Sequence, residues 1–262
     1  MVRMAEQTPV LATQGISKMF GPVRALTDIN FEVYPGEVVA LIGDNGAGKS
    51  TLINVITGVL PHESGQILFE GKPVNLSSPQ EARRLGIETV YQDLAIAPHL
   101  DSVANIFLGR EYMRPGLLGK LGFLDTKRMR EDTLGQLQRL RVRIPNLDRR
   151  MVTLSGGQRQ GVAVARSVRW ASKVVIMDEP TAALGVAQSG MVLDLIKEVR
   201  NSGIPIIFIS HNMPHVFEVA DRIAVLRLGE LVANLDPKTN TIDDAVSAMT
   251  GSDRIPTGVQ QR

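Results

Sequence analysis

Strand-length apolar runs recur along the chain and are separated by stretches that are long enough for helices. The runs at residues 37–43, 173–180 and 204–210 consist mainly of aliphatic residues, and each leads into a glycine-rich or polar segment. Runs of this kind are typical of strands that are buried on both faces of a parallel sheet. A closing pair of strands is predicted at residues 221–235. The alternation predicts an α/β fold with a mostly parallel sheet and helices on both faces.

The remaining patterns predict further strands and one helical insertion. Residues 100–146 are helical in pattern, and the block from about residue 91 to residue 164 is expected to be inserted between two strands of the sheet. The other predicted elements are strands near residues 10–15, 26–35 and 87–92, a hairpin at residues 65–74 with its turn at Gly71 and Lys72, and a helix capped by Ser78 that stops at Gly86.

Composition restricts the function only weakly. The chain has 262 residues, of which 44% are hydrophobic and 21% charged, as in an ordinary globular protein. The formal net charge of +2 is too small to indicate a nucleic-acid partner. The absence of cysteine excludes disulfides and thiol catalysis. One stretch is asymmetric in charge: residues 109–150 contain eleven Lys/Arg and five Asp/Glu, which is either a solvated helical face or a basic docking surface.

No targeting segment or membrane span is predicted. The N-terminal segment lacks an apolar core long enough for a signal peptide. Apolar runs such as residues 204–210 are far shorter than the ~20 residues that cross a bilayer. Any work at a membrane is therefore expected to require docking on another protein.

A glycine-rich segment directly after the strand at residues 37–43 has the pattern of a phosphate-binding loop. Its glycines allow backbone N–H groups to turn towards a β-phosphate, Lys49 supplies a positive charge to the β- and γ-phosphates, and the Ser50 hydroxyl is a magnesium ligand. A helix predicted from Lys49 to Thr57 completes the strand–loop–helix context. The predicted nucleotide-binding residues are Gly43, Asp44, Asn45, Gly46, Ala47, Gly48, Lys49, Ser50 and Thr51.

Further candidates lie at the ends of predicted strands, where ligands bind in parallel sheets. Asp178 is expected to hold the magnesium, and Glu179 to accept a proton from the water that attacks the γ-phosphate. Gln92 is a candidate to reach the magnesium or that water. His211 is a candidate donor to the γ-phosphate, although a lone histidine after a strand is more often structural. Phe20 is either a platform for adenine or a core phenylalanine.

Residues 154–160, LSGGQRQ, predict a second helix start that suits a phosphate, with Ser155 as the cap, followed by Gly156, Gly157 and Gln158. The phosphate loop already surrounds the near side of a γ-phosphate. A second helix start in the same chain is useful if it closes on a nucleotide held by another copy. A two-fold pair then has two equivalent sites, each built from both chains.

The chain resembles the ATP-binding subunit of an ABC transporter. The resemblance rests on the segments GDNGAGKST, LSGGQ and VVIMDEP, which occur in this order, and on Gln92 and His211. The resemblance implies a P-loop NTPase core with an antiparallel β subdomain and an inserted helical subdomain at about residues 91–164. It spans residues 9–253 and leaves tails at residues 1–8 and 254–262.

The same resemblance implies the chemistry and the partners. ATP is the expected nucleotide, with Mg²⁺ held by Ser50, Gln92 and Asp178, and catalysis is expected from Glu179, His211 and Gln92. The expected partners are a second ATPase subunit, either another copy in a homodimer or a different ATPase chain, transmembrane permease subunits and, indirectly, a sugar-binding protein, with no nucleic acid. The expected location is peripheral, on the cytoplasmic face of the cell membrane.

Finer features of the sequence resemble importers of monosaccharides of the ribose, xylose and fructose type, in segments such as VYQDLAIAPHLDSVANIFLGRE. One position departs from the family pattern, because Gly185 stands where an aspartate is usual. A nearby polar residue such as Gln188 is a candidate substitute. The alternatives are an ABC-type ATPase outside transport and a weakly active structural or regulatory nucleotide-binding subunit. A GTPase is disfavoured because the sequence has no Asn-Lys-x-Asp motif.

Overall fold

The structure is a computed structural model, and it describes residues 7–90, 96–171, 173–182 and 184–252. The strands are β1 (Leu11–Phe20), β2 (Val23–Val33), β3 (Val38–Ile42), β4 (Ser64–Phe69), β5 (Lys72–Val74), β6 (Ile87–Val90), β7 (Val174–Asp178), β8 (Ile206–Ile209), β9 (Arg222–Arg227) and β10 (Glu230–Leu235). The helices are α1 (Lys49–Ile56), α2 (Pro79–Arg84), α3 (Ser102–Phe107), α4 (Leu117–Lys120), α5 (Thr126–Arg139), α6 (Gly156–Trp170), α7 (Val186–Asn201), α8 (Met213–Val219) and α9 (Ile242–Thr250), and a 3₁₀ turn covers Met151–Thr153.

A six-stranded sheet forms the centre of the fold, with the order β10–β9–β3–β8–β7–β6. All neighbouring strands in it are parallel except β10, which pairs antiparallel with β9. The predicted mostly parallel sheet is thus confirmed. The carboxyl ends of β3, β7 and β8 share one edge of this sheet, and the segments that follow them form the candidate site.

The sheet separates two hydrophobic cores, because successive side chains of a strand point to opposite faces. On β3, Val39 and Leu41 join one core, which also contains α1 and the apolar side of a smaller sheet. Val38, Ala40 and Ile42 join the other core, with residues of α5, α6, α7 and α8. The predicted helices on both faces are therefore confirmed. This packing fixes β3 from both sides and makes the loop after it a rigid platform.

The smaller sheet is antiparallel throughout, in the order β2–β1–β4–β5. Its first two strands are longer than the predicted strands near residues 10–15 and 26–35. Register shifts along β1, between Thr13 and Ile16 among others, disturb the simple alternation from which those bounds were read. The hairpin of β4 and β5 turns at Glu70 and Gly71, one position before the predicted turn, and both residues have a positive φ.

Helices α3 to α6 lie between β6 and β7. They share a core in which the Phe107 ring meets the rings of Tyr112 and Trp170 edge-on, with centroids 4.8 Å and 5.8 Å apart. The prediction of a helical pattern throughout residues 100–146 is wrong in its middle, where only the single turn of α4 forms. Pro115 and the positive-φ glycines at 109, 116 and 122 interrupt a helix there.

The division into tails, an ATP-binding domain at residues 9–253 and a helical subdomain at about 91–164 remains a prediction. Within the described residues, we find no helix that is both long and apolar enough to cross a bilayer.

Candidate nucleotide-binding site

The phosphate loop joins β3 to α1 and is held tightly against its neighbours. A side chain at Gly43, whose φ is 156°, would place its Cβ 2.2 Å from the carbonyl oxygen of Leu226 on β9. A Cβ at Gly48, whose φ is 107°, would lie 2.7 Å from the carbonyl oxygen of Ala25 on β2. Both positions therefore require glycine for close approach as well as for backbone conformation. The result is a fixed loop with Asp44, Asn45 and Gly46 exposed at its tip.

The Lys49 side chain forms hydrogen bonds with the backbone of the phosphate loop. Its Nζ donates to the carbonyl oxygens of Gly43, at 2.6 Å, and Asp44, at 2.9 Å. Partial burial lowers the pKa of Lys49, and the negative charges of Glu179, Asp44 and Asp178 oppose that shift. The ammonium group therefore lies near the carboxylates of Asp178 and Glu179, in a position to bind phosphate oxygens. Ser50 and Thr51, which follow it in the first turn of α1, are exposed and partly exposed.

Asp178 and Glu179 leave β7 in different environments. Asp178 is partly buried, and burial, followed by the charge of Glu179, raises its pKa, while Lys49 lowers it. Glu179 has a φ of 48°, a left-handed conformation that is uncommon for a residue with a side chain. Its N–H nevertheless donates to the Ile209 carbonyl oxygen at 2.9 Å, which continues the pairing of β7 with β8. This backbone bend turns the glutamate towards the end of β8.

His211 and Ser210 hold the Glu179 carboxylate in place. Glu179 Oε1 accepts the backbone N–H of His211 at 3.1 Å and lies 2.8 Å from His211 Nδ1. Ser210 Oγ donates to Glu179 Oε2 at 3.5 Å. The His211 side chain is 76% exposed, so it is available to a ligand above the sheet edge.

Two hydroxyl contacts close to the site were missed in the sequence. Ser210 is buried directly before His211, and Thr181 Oγ1 lies 3.0 Å from Nδ1 of His215 on α8. Each is adjacent, or nearly so, to a residue that the sequence did single out. Small hydroxyl residues carry no distinctive spacing, so proximity to Glu179 and His211 was the only available signal.

Replacing Asp178 by asparagine is expected to raise the free energy of unfolding of the nucleotide-free and metal-free chain at neutral pH. The folded-state pKa of this carboxyl is raised, so its ionised form costs stability once the pH exceeds the unfolded pKa of about 3.9. The gain should be absent near pH 3, where both states are protonated, and should grow as the pH rises towards 7. Chemical unfolding in EDTA measures it, with the exposed Asp194→Asn on α7 as the control. A gain of equal size at both pH values would contradict the assigned cause.

The LSGGQ segment begins α6 as predicted. Ser155 is the N-cap, its Oγ accepts the N–H of Gln158 at 3.3 Å, and Gln158 Oε1 accepts the N–H of Ser155 at 3.0 Å, which completes a capping box. Ser155 remains exposed. The cap thus satisfies the N–H of Gln158, while Gly156 and Gly157 contribute the other N–H groups of the first turn beside the exposed Ser155.

The two signature glycines also lie close to neighbouring side chains. A Cβ at Gly156 would lie 3.0 Å from Leu184 Cδ2, and one at Gly157 would lie 2.8 Å from Met191 Cε on α7. The described contacts of this helix start are therefore with α7 and the loop before it, whereas those of the phosphate loop are with β2 and β9. The structure brings together Lys49, Asp178, Glu179 and His211, and within the described residues no hydrogen bond joins residues 155–158 to this group.

Gly185 forms the N-cap of α7 without a side-chain cap. A Cβ at this position would lie 2.5 Å from Oε1 of Gln188, so the Gln188 side chain already occupies the space that a residue larger than glycine would need. Gln188 therefore places a polar group beside the position of the missing aspartate. An aspartate at 185 would require Gln188 to move.

Phe20 and Gln92 remain the least defined candidates. The Phe20 ring is exposed at the end of β1, with Lys18 Nζ 5.4 Å from its centroid, so it is not a core residue. It lies at the β1–β2 hairpin, and Ala25 of the same hairpin abuts Gly48. Gln92 lies outside the described residues.

A cavity of about 740 Å³ lies elsewhere, between residues 140–143, the start of α6 and one side of α7. Its lining includes Ser155 and Gln158 but no residue of the phosphate loop. Volume alone therefore does not identify the nucleotide site in this fold.

The site combines a fixed glycine loop with a partly buried lysine that lies beside a pair of carboxylates. It stands at the carboxyl edge of a parallel sheet. These features define a P-loop nucleotide-binding protein. A family model described as ABC transporter matches residues 26–182. The chain belongs to the ABC transporter family, as an ATP-binding subunit with ATPase activity.

Similarity to individual proteins extends over nearly the whole chain. It is 53% identical to the fructose import ATP-binding protein FrcA of Rhizobium meliloti, covering 95% of this chain and 97% of that protein. It is 44% identical to the xylose/arabinose import ATP-binding protein XylG of Sulfolobus acidocaldarius, covering 92% of this chain and 94% of that protein. Among solved structures, an ATP-binding cassette of an ABC transporter in its ADP conformation matches with a TM-score of 0.75 at 27% identity, covering 93% of this chain and 96% of the other.

Proposed function

We propose that this chain hydrolyses ATP to power the import of a monosaccharide through an ABC transporter. The observation that carries the hydrolytic part is the Glu179 carboxylate, fixed by His211 and Ser210 and close enough to Lys49 to influence its pKa. The sugar class is supported by the named functions of two relatives, which match 95% and 92% of this chain. Their lengths also support a subunit with one ATP site per chain.

The residues have distinct roles in this proposal. The N–H groups of the phosphate loop and the Lys49 ammonium bind the β- and γ-phosphates and stabilise the charge that develops during transfer. Glu179 takes the proton of the attacking water, and the exposed His211 donates to the γ-phosphate. Gln92 is proposed to orient that water or to reach the metal, and Phe20 to stack on adenine.

The site has suitable donors for Mg²⁺, which prefers oxygen ligands. The exposed Ser50 hydroxyl and the Asp178 carboxylate are hard oxygen donors, and the partly buried pair of Asp178 and Glu179 gains from a cation because its two charges repel each other. Ser50 and Asp178 would hold the ion, whose positive charge would offset the negative charge of the phosphates.

The exposed start of α6 supports a second chain as partner. We propose that Ser155, Gly156, Gly157 and Gln158 close on the γ-phosphate of a nucleotide held by another copy. ATP would then hold two chains together, and hydrolysis would release them.

The remaining partners follow from the import function. Permease subunits would carry the sugar across the membrane and hold this chain at the cytoplasmic face, and a sugar-binding protein would deliver the sugar to them. We infer that the segment around residues 92–108 transmits the state of the γ-phosphate to the permease.

Deleting the gene for this chain in its host is expected to abolish uptake of one monosaccharide, because no other subunit would supply the ATP-driven step. Uptake of labelled fructose, xylose, arabinose and ribose measures the loss and identifies the sugar. Wild-type protein supplied from a plasmid should restore uptake, whereas the Glu179→Gln variant at equal abundance should not. Unchanged uptake of every sugar tested would favour an ATPase outside sugar import.

A further inference from the structure

A cluster of large apolar side chains is exposed on residues 113–124, which we call the apolar tip. These side chains are between 37% and 72% exposed. They belong to Met113, Leu117, Leu118, Leu121, Phe123 and Leu124. Single exposed apolar residues are common, but such a concentration within one short segment marks an interaction site.

Backbone hydrogen bonds hold the apolar tip in a hairpin conformation. Met113 and Leu124 form an isolated antiparallel bridge, and the Arg114 N–H donates to the Phe123 carbonyl oxygen at 2.9 Å. Inside the tip, the Phe123 N–H donates to the Leu118 carbonyl oxygen at 3.1 Å. A Cβ at Gly119 would lie 2.0 Å from the Arg114 carbonyl oxygen, so the turn is closely packed. The exposed leucines are therefore displayed by an ordered hairpin.

The base of the hairpin is anchored to the protein. The Asp125 N–H donates to the Tyr112 carbonyl oxygen at 2.7 Å, and Tyr112 Oη donates to Asp132 Oδ2 on α5 at 3.0 Å. The Tyr112 ring packs edge-on against Phe107 in the core. The base of the hairpin is thus fixed to α3 and α5.

Positive charge surrounds the apolar tip. Residues 113–128 contain four Lys/Arg and one acidic residue, Asp125, which is engaged as the N-cap of α5. Arg128 stacks on the Tyr112 ring. Among the described residues, Arg114, Lys120 and Lys127 have no ion-pair partner, so their charges are available to an anionic surface.

We infer that the apolar tip inserts into the headgroup region of a membrane that contains anionic phospholipid. Leucine and phenylalanine next to lysine and arginine are the composition of segments that lie in a membrane interface. Leu117 and Leu118 are exposed on α4 and Leu121 directly after it, while Met113 and Phe123 add exposed apolar surface on the two sides of the hairpin. The chain would thus have a membrane contact of its own, in addition to any docking on a permease, and contrary to the sequence-based expectation.

A fluorescent label at the tip tests insertion directly. Because the chain contains no cysteine, Leu121→Cys provides a unique attachment site for an environment-sensitive nitrobenzoxadiazole label. With protein-free vesicles of phosphatidylglycerol and phosphatidylcholine, we expect a blue-shifted, brighter emission that brominated lipid chains quench. The same label at Leu134→Cys, on the exposed side of α5, should not respond. An unchanged emission at residue 121 would overturn the inference.

Vesicle sedimentation tests the apolar and charged contributions separately. Leu117→Asp combined with Leu121→Asp should weaken binding to anionic vesicles at least tenfold, while Leu134→Asp should bind like the wild type. Lys120→Gln should weaken it about fivefold, as expected for ~1 kcal/mol per cation, and should have no effect on neutral vesicles. ATP binding and the melting temperature should be unchanged in all three.

Two results would reject a lipid partner. If the wild-type chain does not bind vesicles of either composition, the tip would instead be a surface for another protein. If the double variant binds as well as the wild type, some other surface would be responsible. Neither result would affect the proposed ATPase function, because the tip shares no residue with the nucleotide site.

Discussion

Replacing Glu179 by glutamine is expected to slow ATP hydrolysis by about 10²–10⁴-fold and to leave ATP bound between two chains. The amide retains the size of the carboxylate and can still accept the backbone N–H of His211, so the site should keep its shape. It cannot take the proton of the attacking water. ATP should therefore persist at both composite sites. Single-turnover hydrolysis measures the rate, and light scattering with and without ATP measures the mass.

The Ser155 position provides the control for the two-chain site. Adding Ser155→Arg to the Glu179→Gln variant places a bulky side chain at the exposed start of α6 and should abolish the ATP-dependent dimer, while each monomer still binds ATP. Because this change also removes the N-cap, Ser155→Ala serves as a matched variant that loses the cap alone, at a cost of about 0.5–2 kcal/mol. A dimer that forms equally with and without ATP, or that survives Ser155→Arg, would contradict the arrangement.

Replacing Lys49 by alanine is expected to weaken ATP binding about 10- to 100-fold, because hydrogen bonds to charged groups are worth roughly 1.5–3 kcal/mol. In the nucleotide-free chain, Lys49 Nζ is held by the carbonyl oxygens of Gly43 and Asp44. Alanine leaves the glycine contacts of the loop in place, so the loop should survive without its cation. Calorimetric titration with ATP measures the affinity.

Lys72→Ala, on the exposed hairpin of β4 and β5, is the matched loss of one positive charge and should leave ATP affinity unchanged. Equal affinity in the Lys49→Ala variant and the wild type would show that the phosphates bind elsewhere. A fall in melting temperature together with affinity would indicate damage to the loop instead.

The sheet and the phosphate loop were predictable because each depends on a strong local constraint. Strands buried on both faces must be almost wholly apolar, which made residues 37–43, 173–180 and 204–210 recognisable. The phosphate loop requires glycine at positions such as Gly43 and Gly48, where the structure shows neighbouring backbone within reach of any Cβ. Constraints of this kind restrict the residue types at each position, so they can be recognised in a single sequence.

Features that depend on distant partners were not predictable. The strands β1 and β2 extend beyond their predicted bounds because cross-strand pairing tolerates polar residues and bulges. Ser210 and Thr181 gain their roles only when β7, β8 and α8 meet. The packing of Gly157 against Met191 and Gln188 was equally invisible, so the signature glycines were explained by phosphate contact alone. The apolar tip was included in a helical pattern because the sequence does not show which side chains remain uncovered.

The contact between Leu184 and Gly156 has a mechanical consequence for the proposed pair of chains. Within one chain, the short segment after Glu179 ends at Leu184, which rests on the start of α6. Glu179 would belong to one composite site and Gly156 to the other. The two sites would then be linked in each chain through the contact of Leu184 with the start of α6. ATP hydrolysis at one site would then affect the other site. The two sites would therefore hydrolyse ATP in alternation or in a concerted step, and not independently.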